Sequence, residues 1–200
     1  MRRTSAGFTL IEALVGMAIL GILLAMGLPA FSNAMENSRL RASASVFHAA
    51  AQFARSEAIK RNGSVEVILT TAAPTAGNKD TAALVSTLTG PNWIVRAQDP
   101  GAATFTFLQG RAGHEGGSNA TIVVTGSNAA GAATKVAFDG LGGTNPAGAV
   151  TFSFTSTSGA CANASGVGPI RCLDVRVSTT GQTRLCDPTI ITAGDSRGCN

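Results

Sequence analysis

The sequence predicts an α+β protein: one long N-terminal helix, membrane-crossing at first and amphipathic afterwards, packed on an antiparallel β-sheet domain. Three observations carry this expectation. A run of roughly 24 residues from Phe8 to Phe31 contains a single charge, Glu12. A one-sided apolar stripe with helical spacing follows it. From Ser64 onward that spacing gives way to short β-rich pieces separated by Gly, Asn, Pro and Ser.

Composition narrows the function classes. The chain is 44% hydrophobic and only 13% charged, which argues against disorder from charge excess. The formal charge is +4, but Arg2 and Arg3 lie at the extreme N-terminus. Without them 13 cations face 11 anions, so the basic character is weak evidence for a nucleic-acid partner.

At 1.5 Å per residue, a helix over the apolar run spans roughly 36 Å, enough for a bilayer core of about 30 Å. Arg2 and Arg3 precede it, so the positive-inside rule puts the N-terminus in the cytoplasm and the rest beyond the membrane. A cleaved signal peptide has the basic start, but its apolar region is shorter and carries no acid. A plain signal anchor explains the length and leaves Glu12 unexplained, since an unpaired acid in a bilayer costs on the order of 3 kcal/mol.

The stretch Gly7-Phe8-Thr9-Leu10-Ile11-Glu12 resembles the processing site of type IV pilins and of the pseudopilins of type II secretion. The resemblance implies a prepilin peptidase that cuts between Gly7 and Phe8 and N-methylates Phe8, leaving Glu12 as the fifth residue. Pro29 is similar to the helix-softening proline of many pilins and is expected to break the helix. The resemblance also implies a role for Glu12. Its carboxylate would neutralise the amine of Phe8 on a neighbouring subunit, because two charges that are costly alone become tolerable as a pair in low dielectric.

After Phe31 the helical pattern continues to a stop at Asn62-Gly63. Leu40, Ala44, Phe47, Ala51, Ala54 and Ala58 recur at alternating spacings of four and three, making one apolar stripe that should pack on the following domain. Arg39, Arg41, Arg55, Lys60 and Arg61 fall mostly off it. His48 is expected at the surface or boundary rather than as a ligand.

Candidate strands are Val65–Thr70, Trp93–Arg96, Thr104–Leu108, Thr121–Thr125, Lys135–Phe138, Val150–Thr155, Leu173–Ser178 and Thr183–Cys186, several with the alternation of a half-buried antiparallel strand. Thr71–Leu84 and Gly110–Asn119 read as exposed loops. Ala54–Val67, Trp93 in PNWIVRAQD, and Phe138-Asp139-Gly140 before a Val-Thr-Phe strand are similar to the minor-pilin family that includes FimT, FimU and GspH. The likeness is close over the N-terminal third and loose over the β-domain.

Cys161, Cys172, Cys186 and Cys199 all lie in the last fifth of the chain, without the CxxC spacing or nearby histidines of a zinc site. An even count after an export-type N-terminus indicates two disulfides in an oxidising compartment. Of the three pairings, Cys161–Cys172 with Cys186–Cys199 is preferred because each closes a short loop.

No nucleophile–base pair, metal motif or phosphate-binding loop is present, so neither catalysis nor a cofactor nor a metal is expected. DNA capture is a separate possibility. Some proteins of the FimT type, which this chain resembles, bind DNA through a C-terminal Gly-Arg-x-Arg element. Here the matching stretch is Gly181-Gln182-Thr183-Arg184, with Gln182 in place of the first arginine. Arg171, Arg176 and Arg197 could add charge, but losing a central cation weakens phosphate attraction, and no aromatic is interleaved for stacking. The favoured reading is that Arg184 is an exposed strand residue.

The resemblance therefore implies a leader over 1–7, a transmembrane half-helix over 8–31, an amphipathic half-helix over 32–62 and a periplasmic β-rich domain over 63–200. The expected role is that of a structural minor subunit of a type IV pilus. The alternatives are the minor pseudopilin of type II secretion and DNA binding in natural transformation. Expected partners are the prepilin peptidase, other minor and major pilins or pseudopilins, and inner-membrane lipid. The expected location is the bacterial inner membrane, crossed once.

Overall fold

The computed structural model describes residues 9–79, 89–112, 120–125, 127–128, 131–132, 135–145 and 148–199. Two compact units emerge, Met1–Met35 and Glu36–Asn200. A single helix, α1 (Leu10–Arg61), contributes to both.

In the first unit every large apolar side chain of α1 is exposed, from Leu10 at 79% to Phe31 at 65%. The helix is long and apolar enough to cross a membrane, with a mean hydropathy of 2.3 over its most apolar window. Pro29 does not break it: α1 is helical on both sides of that residue. Proline removes only the one amide that would donate to the Ala25 carbonyl, and the hydrogen bonds on either side carry the helix across.

The second unit is the antiparallel β-sheet domain anticipated, with its longer strands divided between two sheets. In chain order its strands are β1 (Ser64–Thr70), β2 (Thr89–Gly90), β3 (Asn92–Gln98), β4 (Thr106–Arg111), β5 (Ala120–Thr125), β6 (Ser127–Asn128), β7 (Gly131–Ala132), β8 (Lys135–Phe138), β9 (Val150–Ser156), β10 (Leu173–Val177) and β11 (Thr183–Cys186). One sheet has the order β4-β3-β1-β8 and the other β11-β10-β9-β5-β2, while β6 and β7 pair alone.

The stripe on α1 joins the two sheets. Leu40, Ala44, Phe47, Ala51, Ala54 and Ala58 are all 0% exposed. Phe47 is the hub. It meets Trp93 of β3 edge-on at 5.8 Å, and Phe152 and Phe154 of β9 at 4.7 and 5.4 Å. One helical side chain thus contacts both sheets, and the small alanines around it let the backbone approach.

The helix ends in a paired-bond cap. Gly63 N–H donates to Ala58 O and Asn62 N–H to Ile59 O, each at 3.2 Å. The left-handed residue is Asn62, with φ at 47°, and not the glycine. Gly63 serves a different need, because a Cβ there would stand 3.2 Å from Gln98 O and 3.3 Å from Pro100 Cδ.

The expected exposed loop from Gly110 is corrected by the structure, since β4 continues through Gly110 and Arg111. A Cβ at Gly110 would lie 2.9 Å from the Cβ and the carbonyl oxygen of Pro74. The glycine marks a close crossing by the preceding loop, not a turn. That loop is tied down on the outer side of the first sheet. The Asn92 side chain donates to Ala72 O at 3.0 Å, and Arg96 Nη1 donates to Lys79 O. Residues 80–84 and 113–119 of the two expected loops lie outside the described residues.

Beneath it, Glu66 is 3% exposed and neutralised from two sides. Arg96 Nε donates to Glu66 Oε1 at 2.5 Å and Lys135 Nζ to Glu66 Oε2 at 2.6 Å. Arg96 also stacks over the Phe105 ring, 3.7 Å from its centroid. This network spans β8, β1 and β3 and satisfies a buried carboxylate that would be costly alone.

Two disulfides, Cys161–Cys172 and Cys186–Cys199, close loops of 11 and 13 residues' separation. By the chain-entropy estimate each contributes about 3 kcal/mol.

Candidate assembly segment and basic cleft

Two places in the chain hold the candidate assembly and binding residues. One is the start of α1. Gly7 and Phe8 lie outside the described residues. Thr9 caps the helix: its Oγ1 accepts from the Glu12 amide at 3.3 Å, and its carbonyl accepts from the Ala13 amide at 3.2 Å. The Thr9-x-x-Glu12 spacing is that of a capping box. The Glu12 residue is exposed one turn into an apolar helix, so its carboxylate is available to another molecule.

The other is the end of the second sheet. Arg176 and Arg184 are cross-strand partners in the β10–β11 pairing. Arg176 Nη1 donates to Cys199 O. Arg184 Nη2 donates to Ser196 O at 2.9 Å and Gly198 O at 2.7 Å. Both arginines therefore hold the tail loop against the sheet. Arg176 has Asp174 nearby at 3.8 Å, which offsets part of the like-charge repulsion.

Gly181, the glycine of the stretch that resembles a DNA-binding element, has a local explanation. It sits in the β10–β11 turn with φ at 74°, and a Cβ there would stand 1.9 Å from Gly142 O. That same carbonyl accepts from Arg55 Nε at 2.9 Å, and Arg55 Nη2 donates to Thr180 O at 3.3 Å. His48 is half-buried, with its ring nitrogen 3.3 Å from the Thr183 carbonyl.

Arg171 stands apart from that pair. Its amide donates to Asn37 Oδ1 at 2.7 Å, while its side chain borders a cleft of about 590 Å³ between α1, β11 and the tail loop. Arg41 of α1 borders the same cleft, over Leu173, Leu185 and Ile190. Sequence patterning placed Arg41 off the buried stripe and singled out nothing further about it. Only the fold brings it beside Arg171, from 130 residues away in the chain.

Arg197, also at the cleft, is internally paired. Its Nε and Nη2 donate to Asp195 Oδ1 and Oδ2 at 3.1 and 2.8 Å. The Arg197 guanidinium, helped by the Arg197 amide, holds the half-buried Asp195 carboxyl down at about 2. Among the described residues no group of His, Cys, Asp and Glu is arranged to hold a metal ion.

Comparison with known proteins agrees with the N-terminal and C-terminal parts separately. The family model described as type II transport protein GspH matches residues 43–181, more than half of the chain. A second, described as the prokaryotic N-terminal methylation motif, matches residues 2–28. No curated protein matches the sequence. Among solved structures the chain is similar to the type IV minor pilin FimU of Pseudomonas aeruginosa, at 18% identity over 77% of this chain and 92% of that one, with a TM-score of 0.49. It is also similar to the minor pseudopilin EpsH of the type 2 secretion system of Vibrio cholerae, at 13% identity over 75% and 98% of the two chains, with a TM-score of 0.45.

Proposed function

The chain belongs to the GspH family of minor pilins and pseudopilins, and from that premise we propose that it works as a minor subunit of a type IV pilus. It is a structural subunit rather than an enzyme, and its methylation motif implies processing by a prepilin peptidase. In this reading the peptidase cuts between Gly7 and Phe8 and methylates Phe8. The apolar run over 8–31 holds the subunit in the inner membrane, with the second unit in the periplasm, until it enters the fibre.

The observation that carries the reading is the division of labour along α1. Its N-terminal part exposes all of its large apolar side chains, while the later part buries a complete stripe in the domain. A soluble protein would not keep such a surface bare, and a simple anchor would not need Glu12. The preference for the pilus rests on the likeness of the helical stretch Ala54–Arg61 to FimT and FimU. The secretion pseudopilin is a second reading, favoured by the description of the matching family. Capture of DNA gains no comparable support, because Arg176 and Arg184 donate to tail carbonyls.

Deleting the gene separates the two machines. Loss of surface pili and twitching supports the pilus, and exoproteins stranded in the periplasm support secretion. Mass spectrometry of the membrane-derived protein tests the premise that they share: a start anywhere but methylated Phe8 overturns it.

A further inference from the structure

The cleft bordered by Arg41 and Arg171 lies in the second unit, and nothing in the assembly reading uses it. We propose that it receives an extended polypeptide segment of another protein that carries carboxylates. Its walls are the tail loop closed by Cys186–Cys199 on one side and α1 at Asn37 and Arg41 on the other. A recess of about 340 Å³ adjoins it and shares Asn37, Arg171, Asp187 and Ile190 with it. That recess runs on to the loop closed by Cys161–Cys172, so both disulfides stiffen one trough. Rigid walls lower the ordering cost of binding a flexible chain.

The chemistry selects the occupant. The Arg41 and Arg171 residues are exposed, and their guanidinium groups have no partner among the described residues. Two such groups over a floor of Leu173, Leu185 and Ile190 suit a chain whose side chains alternate between acidic and apolar. The backbone adds a third element. β11 is the edge of its sheet, and the Thr183 carbonyl points outward to the His48 ring. Period-two alternation turns the amide and carbonyl of Leu185 to that same side, where they have no partner among the described residues. An incoming strand can bond to them. A continuous polyanion fits less well, because Asp187 borders both parts of the trough and, among the described residues, no aromatic side chain lines either for base stacking.

The full chain in detergent micelles, titrated into a fluorescein-labelled peptide of about ten alternating glutamate and valine residues, tests this by anisotropy. Saturable binding is expected, weakening as salt rises. The double variant Arg41→Gln/Arg171→Gln should weaken it about tenfold or more, while Lys60→Gln leaves it unchanged. Both arginines are exposed, and an unaltered circular dichroism spectrum confirms that the variants fold. Arg171→Glu should shift preference toward the corresponding lysine–valine peptide. Equal binding of the two peptides by the parent chain, an undiminished affinity in the double variant, or a preference for an oligodeoxythymidylate would each overturn the proposal.

Discussion

Arg176 and Arg184 stand opposite one another on paired strands, and both guanidinium groups donate to carbonyls of the loop that Cys186–Cys199 closes. Two like charges side by side would ordinarily repel, yet each here is bonded to carbonyls of the tail, beside the disulfide that already ties Cys199 to β11. The pair acts as a clasp. The predicted consequence is local: Arg184→Ala should loosen the tail while leaving the sheet intact. A loss of about 1 kcal/mol, or roughly 2–4 °C in Tm, is expected for an exposed charge-assisted pair of bonds. Trypsin should cut after Arg197 faster in the variant, and an unchanged cutting rate would remove the clasp.

The tail also carries an acid displaced well below its ordinary range. Because the folded pKa of Asp195 is depressed to about 2 from an ordinary 3.8, its interaction with Arg197 is present above pH 4 and is lost as pH falls through 2. An NMR titration of the Asp195 carboxyl should show its midpoint near 2. In Arg197→Gln the midpoint should rise toward 3.8. A midpoint that does not move would place the cause elsewhere.

Phe47 of α1 is in ring contact with both sheets. Phe47→Ala should therefore cost about 3–5 kcal/mol, more than an alanine substitution at a residue touching a single sheet. Urea denaturation of the detergent-solubilised chain reads this directly. A loss under 1 kcal/mol would mean that the sheets hold together without the aromatic hub.

Glu12→Ala separates anchoring from assembly. The cap on the helix uses the amide of Glu12 and the hydroxyl of Thr9, so the substitution leaves it in place. The protein is expected to remain membrane-inserted and to be processed at Gly7, yet to fail to enter the fibre. Shear fractions blotted for the subunit decide the matter: normal recovery of the variant from them sinks the charge-pairing idea.

What the sequence by itself determined lies in short-range pattern. The apolar run, the Leu40-to-Ala58 stripe and the positions of the longer strands all rest on residues a few places apart. Helical and extended periods are local properties, so these were readable without a fold. Strands as short as β2, β6 and β7 were not, because two residues carry no period and exist only through their partners.

Only the tertiary structure decided what those elements do to each other. It split the strands between two sheets, inserted Phe47 between Trp93 and the Phe152–Phe154 pair, and surrounded Glu66 with Arg96 and Lys135. It also assigned the arginines. Arg176 and Arg184 looked equivalent to Arg171 as cations, but their donors meet tail carbonyls while Arg171 borders an open cleft with Arg41. The physical reason is common to all of these. Charge and hydrophobicity are properties of one residue, whereas neutralisation, burial and access depend on which distant residue the chain brings within a few ångströms.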